Sequence, residues 1–235
     1  MRAVGAVAFW VLLTLATAVI GILGSPALLM GESASRAVAK FWARTTLILL
    51  EICTGITHKV EGAENMPRTG AIVGANHQSM WETVALYVLL PKPVIILKRE
   101  LTRIPVWGWF LRAVGNVAID RGSHVKALRD MQRTAAERVK DGYQVIIFPE
   151  GTRLKPGKIA DYRPGVAGAY AAAEAPAYPV AHDSGKYWVY PEISKNPGVI
   201  TIKFLPSIDA GHDRKTFLVK LQAAIDGARP DLMKP

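Results

Sequence analysis

The chain has 235 residues, enough for one sizeable α/β domain with a short appendage and too few for two large domains. Half of the residues are apolar, yet 29 Lys and Arg against 19 Asp and Glu give a formal net charge of +10. That balance suits anionic lipid headgroups, phosphorylated substrates or an acidic carrier protein, while the absence of an interleaved aromatic and basic pattern argues against nucleic acid, and the single cysteine, Cys53, excludes an intrachain disulfide.

Positions 3–30 carry no charge. As a helix, the stretch up to Gly24 would span about 33 Å at 1.5 Å per residue, enough to cross a bilayer core. Arg2 precedes the run as it would in a signal peptide, but the run is long and no clear small-x-small cleavage site leads into a polar start. After Gly21, Gly24 and Pro26 comes a second helical segment in which Arg36, Lys40 and Arg44 recur every four residues on one face, with Phe41, Trp42 and residues 47–50 as apolar surface. Residues 1–55 are therefore expected to form a membrane anchor, an apolar helix followed by a basic amphipathic one, and residues 56–235 a globular domain. The charge bias after the apolar run places that domain on the cytoplasmic face.

Beyond the anchor, strand and helix patterns alternate with short breaks. Strands are expected at 71–74, 94–97, 117–119, 145–148, 177–181 and 199–204, and helices at 79–90, 104–113, 125–140, 166–175 and 214–228. This alternation predicts an α/β fold, a mostly parallel sheet covered by helices. Val106, Trp107, Trp109 and Phe110 cluster beside Arg112, a composition that suits core packing, a membrane interface or an acyl groove.

Two segments carry chemistry. In Asn76-His77-Gln78-Ser79-Met80-Trp81-Glu82 an imidazole precedes a carboxylate by five residues. Histidine titrates near neutrality and can take a proton from a hydroxyl and return it, provided that a partner fixes its tautomer. Within one continuous helix His77 and Glu82 would lie about 140° apart and could not meet, so His77 must precede the helix. Ser79-x-x-Glu82 has the form of a capping box, which starts the helix at Ser79 and also offers Glu82 a purely structural role. His58, His124, His182 and His212 have no metal-ligand spacing and read as surface or polar-core residues.

The second segment, Phe148-Pro149-Glu150-Gly151-Thr152-Arg153, follows the apolar run 145–148 and turns away from its C-terminal end, where open α/β sheets collect ligands. Arg153 offers a planar fork for phosphate oxygens. A nucleotide phosphate loop is excluded: five residues separate Gly151 from Gly157-Lys158 instead of four, and Ile159 stands where a metal-binding hydroxyl is needed. A solvated Glu150–Arg153 loop pair is the bland alternative.

Taken in order, His77 to Glu82, Gly115-Asn116-Val117-Ala118-Ile119-Asp120-Arg121, Phe148 to Arg153 and Tyr178-Pro179-Val180-Ala181 resemble the four blocks of the glycerolipid acyltransferase family, over roughly residues 70–185. The family's usual first block is His-x4-Asp, so Glu82 marks the His-x4-Glu variant, a bacterial subgroup, and Ala118 replaces a bulkier residue. The resemblance implies transfer of a fatty acyl group from acyl carrier protein or acyl-coenzyme A to the free hydroxyl of 1-acylglycerol-3-phosphate, giving phosphatidic acid at the membrane, in a bacterium the inner one. His77 would be the base and Glu82 its support. Arg153 and Arg121, helped by Lys98 and the amides of Gly151 and Thr152, would hold the phosphate, and Glu150 would organise its loop. No Gly-x-Ser-x-Gly elbow is present, which favours direct transfer, and neither metal nor redox cofactor is implied. Another lyso-lipid acceptor, including a lyso-amino-acid lipid, and a catalytically silent lipid-binding protein remain as alternatives.

Overall fold

A computed structural model describes residues 2–119, 124–190 and 193–230. Its first element, α1 (Arg2–Leu23), is followed by a short 3-10 turn and by α2 (Glu32–Thr54), and the two pack together as a hairpin. Gly5 permits this: a Cβ there would sit 2.2 Å from the Cys53 carbonyl oxygen. Farther along, the Trp42 indole donates to Thr17 Oγ1 at 2.9 Å. Gly55, at φ 68°, ends α2 in the left-handed conformation that glycine adopts without a Cβ penalty, and its N–H caps the Glu51 carbonyl.

The hairpin docks on the domain through aromatic and charged contacts. Phe9 is fully buried, with Trp188 edge-on at 5.4 Å, and the Lys195 ammonium lies over the Trp10 and Trp188 rings at 5.1 and 4.6 Å. The basic stripe of α2 lies on one face, and two of its three cations contact the domain. Arg36 is buried, pairs with Glu32, donates to the Val114 carbonyl at 3.2 Å and lies over the Tyr143 ring. Lys40 Nζ donates to the Leu90 and Pro91 carbonyls at 2.6 and 2.9 Å. These two cations satisfy backbone acceptors of the domain, and of the three only Arg44 is exposed.

The domain is built on β1 (Ile56–Glu61), β2 (Ala71–Ala75), β3 (Pro93–Lys98), β4 (Val117–Ile119), β5 (Gln144–Ile147), β6 (Ala177–His182) and β7 (Gly198–Phe204), in the order β1-β7-β6-β2-β5-β3-β4. All neighbours are parallel except β6 and β7. The six expected strands are present. The edge strand β1 was not among them: its Thr57, His58, Lys59 and Glu61 interrupt the apolar signal, as charged residues on edge strands do.

Helices α3 (Trp81–Leu89), α4 (Trp107–Ala113), α5 (His124–Lys140), α6 (Pro164–Ala173) and α7 (Arg214–Ala228) complete the fold. Helix α4 starts three residues later than expected because Pro105 disfavours helical backbone at Ile104. Two apolar clusters flank the sheet, one joining α5, α6 and α7 to one face, the other joining α1, α2 and α3 to the opposite face.

Candidate active site

Strand β2 lies between β6 and β5, and all three run the same way. Their C-terminal ends therefore bring three loops together: His77 after β2, Glu150 to Arg153 after β5, and Ser184 after β6. Asn76 clamps the first to the third. Its side chain donates to the His182 carbonyl at 3.0 Å and accepts from the His182 N–H at 2.9 Å, while His182 Nε2 meets the Asn76 carbonyl at 2.7 Å. His182 is fully buried, and that burial lowers its pKa.

His77 Nδ1 lies 2.7 Å from Glu82 Oε1, and the His77 ring stacks on Phe148 with centroids 4.1 Å apart. Glu82 is fully buried. Its Oε1 also accepts from the Gln78 and Ser79 N–H groups, both at 2.8 Å, and its Oε2 accepts from the Ser79 and Ser184 hydroxyls at 2.6 and 2.8 Å. Burial alone would raise the pKa of this carboxyl, but the His182 and His77 rings and the donors around it hold it well below the ordinary carboxylate range. The capping role and the dyad geometry thus reside in one carboxylate: Glu82 accepts from the Ser79 backbone and from His77 together. The helix begins at Trp81, with Ser79 Oγ accepting the Trp81 N–H.

The second loop supports the first from below. Glu150, 2% exposed, accepts the His77 N–H through Oε2 at 2.7 Å, and the Leu154 N–H donates to the His77 carbonyl at 2.8 Å. Burial pushes the Glu150 carboxyl up to about 8 against the opposing His77 N–H and Arg229 charge. Glu150 and Arg153 therefore do not form a solvated loop pair. Arg153 Nε donates to the Ser79 carbonyl at 2.8 Å, and its guanidinium lies 4.5 Å from the Tyr190 ring centroid.

The remaining expected anion donors are less convergent. Gly151 adopts φ 70° and its N–H closes the turn on the Phe148 carbonyl at 3.1 Å, which commits that amide to the loop. Thr152 is exposed beside it. Lys98 is exposed at the end of β3, two strands from β2, with Ile119 of β4 as its register partner. Arg121 and Asp120 lie outside the described residues.

A cavity of about 160 Å³ lies between the hairpin, α3 and α4, and reaches Met80 and Thr83 at the start of the helix that carries Glu82. Ile20, Trp42, Val84, Trp107 and Phe110 line it, and among the described residues Arg153 is the only charged one in its wall. The aromatic cluster of α4 therefore contributes to this wall, while Trp109 points outward at 46% exposure. The arrangement offers a base with an ionised partner, a cation and an apolar slot, the requirements of acyl transfer to a lipid hydroxyl. Among the described residues no group of three or more His, Cys, Asp or Glu side chains forms a metal site. Sequence reasoning gave no role to Asn76, although it opens the His77 segment, and missed Ser184, whose only signal was the turn after the expected strand at 177–181.

The acyltransferase family model matches residues 57–183, from β1 to the turn after β6. The chain is 33% identical over 213 residues to a 1-acyl-sn-glycerol-3-phosphate acyltransferase of Pseudomonas aeruginosa, covering 89% of this chain and 82% of that one. It is 31% identical over 153 residues to a chloroplastic 1-acyl-sn-glycerol-3-phosphate acyltransferase of Arabidopsis thaliana, which spans 63% of this chain but only 41% of that longer relative. The fold matches the crystal structure of the 1-acyl-sn-glycerophosphate (LPA) acyltransferase PlsC from Thermotoga maritima with a TM-score of 0.73, over 94% of this chain and 92% of that one, at 24% identity. With over half of the chain inside the family match, and a relative aligned along most of both lengths, the chain belongs to the acyltransferase family.

Proposed function

We propose that this protein transfers a fatty acyl group from a thioester to the free hydroxyl of 1-acylglycerol-3-phosphate, forming phosphatidic acid. The observation that carries this reading is the His77–Glu82 pair, on the turn whose Ser79 carbonyl holds Arg153, a residue in the wall of the apolar cavity. With Nδ1 held by Glu82, Nε2 is the ring nitrogen that takes the acceptor's proton. The hydroxyl oxygen attacks the thioester carbon, a C–O bond forms, and the C–S bond breaks as the tetrahedral intermediate collapses. The departing thiolate then takes the proton from His77. The ionised Glu82 stabilises the imidazolium throughout. An acyl chain occupies the cavity, Arg153 binds the acceptor phosphate, and Glu150 organises the loop beneath His77.

The reading includes the membrane. Helix α1 is long and apolar enough to cross a bilayer over Ala3–Leu23. Val4, Val7, Val11, Leu15, Val19 and Ile22 face outward on it, as do Phe41, Ile48 and Ile52 on α2. Residues 1–55 then serve as the anchor and 56–235 as the acyltransferase domain, held on the cytoplasmic side. Because both helices also pack on the domain, the hairpin immerses its outer face while its inner face walls the cavity.

The test is transfer by the purified full chain, with a panel of lyso-lipids and with acyl-coenzyme A and acyl carrier protein as donors. Phosphatidic acid should form fastest, and His77→Ala should remove most of the rate, about 10²–10⁴-fold for a positioned base. Absence of transfer to every acceptor would overturn the reading. Preference for a different lyso-lipid would keep the chemistry and change the substrate.

A further inference from the structure

A second cleft, of about 330 Å³, shares no lining residue with the apolar cavity. The stack of Arg153 on Tyr190 stands between them, since Arg153 lines the cavity and Tyr190 lines the cleft. The cleft reaches the catalytic turn directly. It is lined by Gln78, the residue after His77, and by Leu154, whose N–H donates to the His77 carbonyl. Gln78 Oε1 accepts the Gly185 N–H at 3.0 Å and so joins this wall to the loop after β6.

The two spaces differ in what surrounds them. Helices α1 and α2 wall the apolar cavity, whereas neither contributes to the cleft. Leu154, Pro156 and Val189 give the cleft apolar surface, and the exposed Lys155 and Lys186 bring positive charge to it. Such a cleft suits a narrow, mostly uncharged chain with a phosphate at its far end, arriving from water rather than from the lipid hairpin.

We infer that this cleft holds the phosphopantetheine arm of the thioester donor, an inference that rests on the acyltransferase reading above. The arm's methylenes and paired methyl groups lie against Leu154, Pro156 and Val189. Its phosphate meets Lys155 and Lys186, and its sulfur lies at the turn that carries His77. When the acceptor hydroxyl attacks, the C–S bond breaks, the sulfur receives the proton that His77 took from the hydroxyl, and the free thiol withdraws through the cleft. The ester product stays on the side of the hairpin.

A phosphate in this cleft could also come from the lysophosphatidate headgroup, and the experiment separates the two. Binding of S-acyl phosphopantetheine and of S-acyl pantetheine, which lacks the phosphate, is titrated on the detergent-solubilised full chain, alongside the KM for lysophosphatidate. Val189→Trp should weaken binding of both thioesters tenfold or more at an unchanged melting temperature, with the acceptor KM within twofold of the parent. Lys155→Glu, an exposed change compatible with folding, should weaken only the phosphorylated thioester, several-fold. Parent-like thioester binding in both variants would overturn the assignment. So would a raised acceptor KM with unchanged thioester binding, which would give the cleft to the headgroup. Parent protein that binds the thioester through the cleft yet transfers to no acceptor would fault the acyltransferase reading alone.

Discussion

Glu150→Gln tests whether the carboxyl beneath the catalytic turn works as a neutral group. Its Oε2 accepts the His77 N–H at 2.7 Å, its Oε1 meets no hydrogen-bond partner among the described residues, and burial pushes it up to about 8. A carboxyl whose folded-state pKa is raised supports the fold fully below its unfolded value of 4.5 and loses that contribution as pH rises through about 8. At about 1.4 kcal/mol per pH unit the loss is at most about 5 kcal/mol, and relaxation around the charged form brings it to roughly 2–3. Glutamine keeps the acceptor for His77 and has no charge to acquire. Parent and variant should melt alike near pH 5, and the variant should melt higher near pH 8.5, by roughly 5–10 °C at 2–4 °C per kcal/mol. Turnover of Glu150→Gln near neutrality should stay within about threefold of the parent, a barrier change under 1 kcal/mol. Melting curves across pH 5–9 with initial rates at each pH measure both. If Glu150→Gln is as inactive as Glu150→Ala while remaining folded, Glu150 acts as an anion and not as a neutral carboxyl.

Glu82→Gln keeps an oxygen acceptor for His77, Gln78 and Ser79 and can donate its amide to the Ser79 and Ser184 hydroxyls, so melting should change little while turnover falls about 10²–10⁴-fold; parent-like turnover would refute the dyad. Glu82→Ala orphans those donors at about 1–3 kcal/mol each and should melt far lower. Arg153→Ala should raise the acceptor KM by about 1.5–3 kcal/mol of lost binding, roughly 10–150-fold, and an unchanged KM would place the phosphate elsewhere. The full chain should stay with the membrane fraction in high salt and retain its N-terminal residues, because Arg36 and Lys40 face the domain and the outward surface of the hairpin is apolar; release by salt, or recovery of a soluble chain starting near residue 25–35, would contradict the anchor.

Where burial leaves a continuous apolar signal, the sequence was readable. The central strands β2 and β5 are buried on both faces, and Ala71-Ile72-Val73-Gly74 and Val145-Ile146-Ile147 carry no polar interruption. The edge strand β1 has one flank open, so its polar residues broke the pattern. The basic stripe of α2 was legible as a stripe but not as a contact. Charge at four-residue spacing identifies a face without naming its partner, and here the partners are the carbonyls of Val114, Leu90 and Pro91, remote in sequence.

The same distinction divides the site. His77 and Glu82 are five residues apart, so a turn followed by a helix start sufficed to bring them together, whereas Ser184 lies 102 residues beyond Glu82 and reaches it only because β6 is the neighbour of β2. That adjacency bears on the glutamate. Its Oε1 is engaged by local donors, His77 and two amides of its own turn, while Oε2 takes the Ser79 hydroxyl of that turn and the Ser184 hydroxyl from the distant loop. A capping residue needs only the first set. Ionisation of this fully buried carboxyl against desolvation is favoured first by His182, at the end of β6, and then by His77 and the Ser79 hydroxyl. The charge that supports an imidazolium at His77 is thus maintained partly from β6, and it is the parallel packing of β6 on β2, added to the spacing of His77 and Glu82, that makes a helix cap fit to serve as the partner of a base.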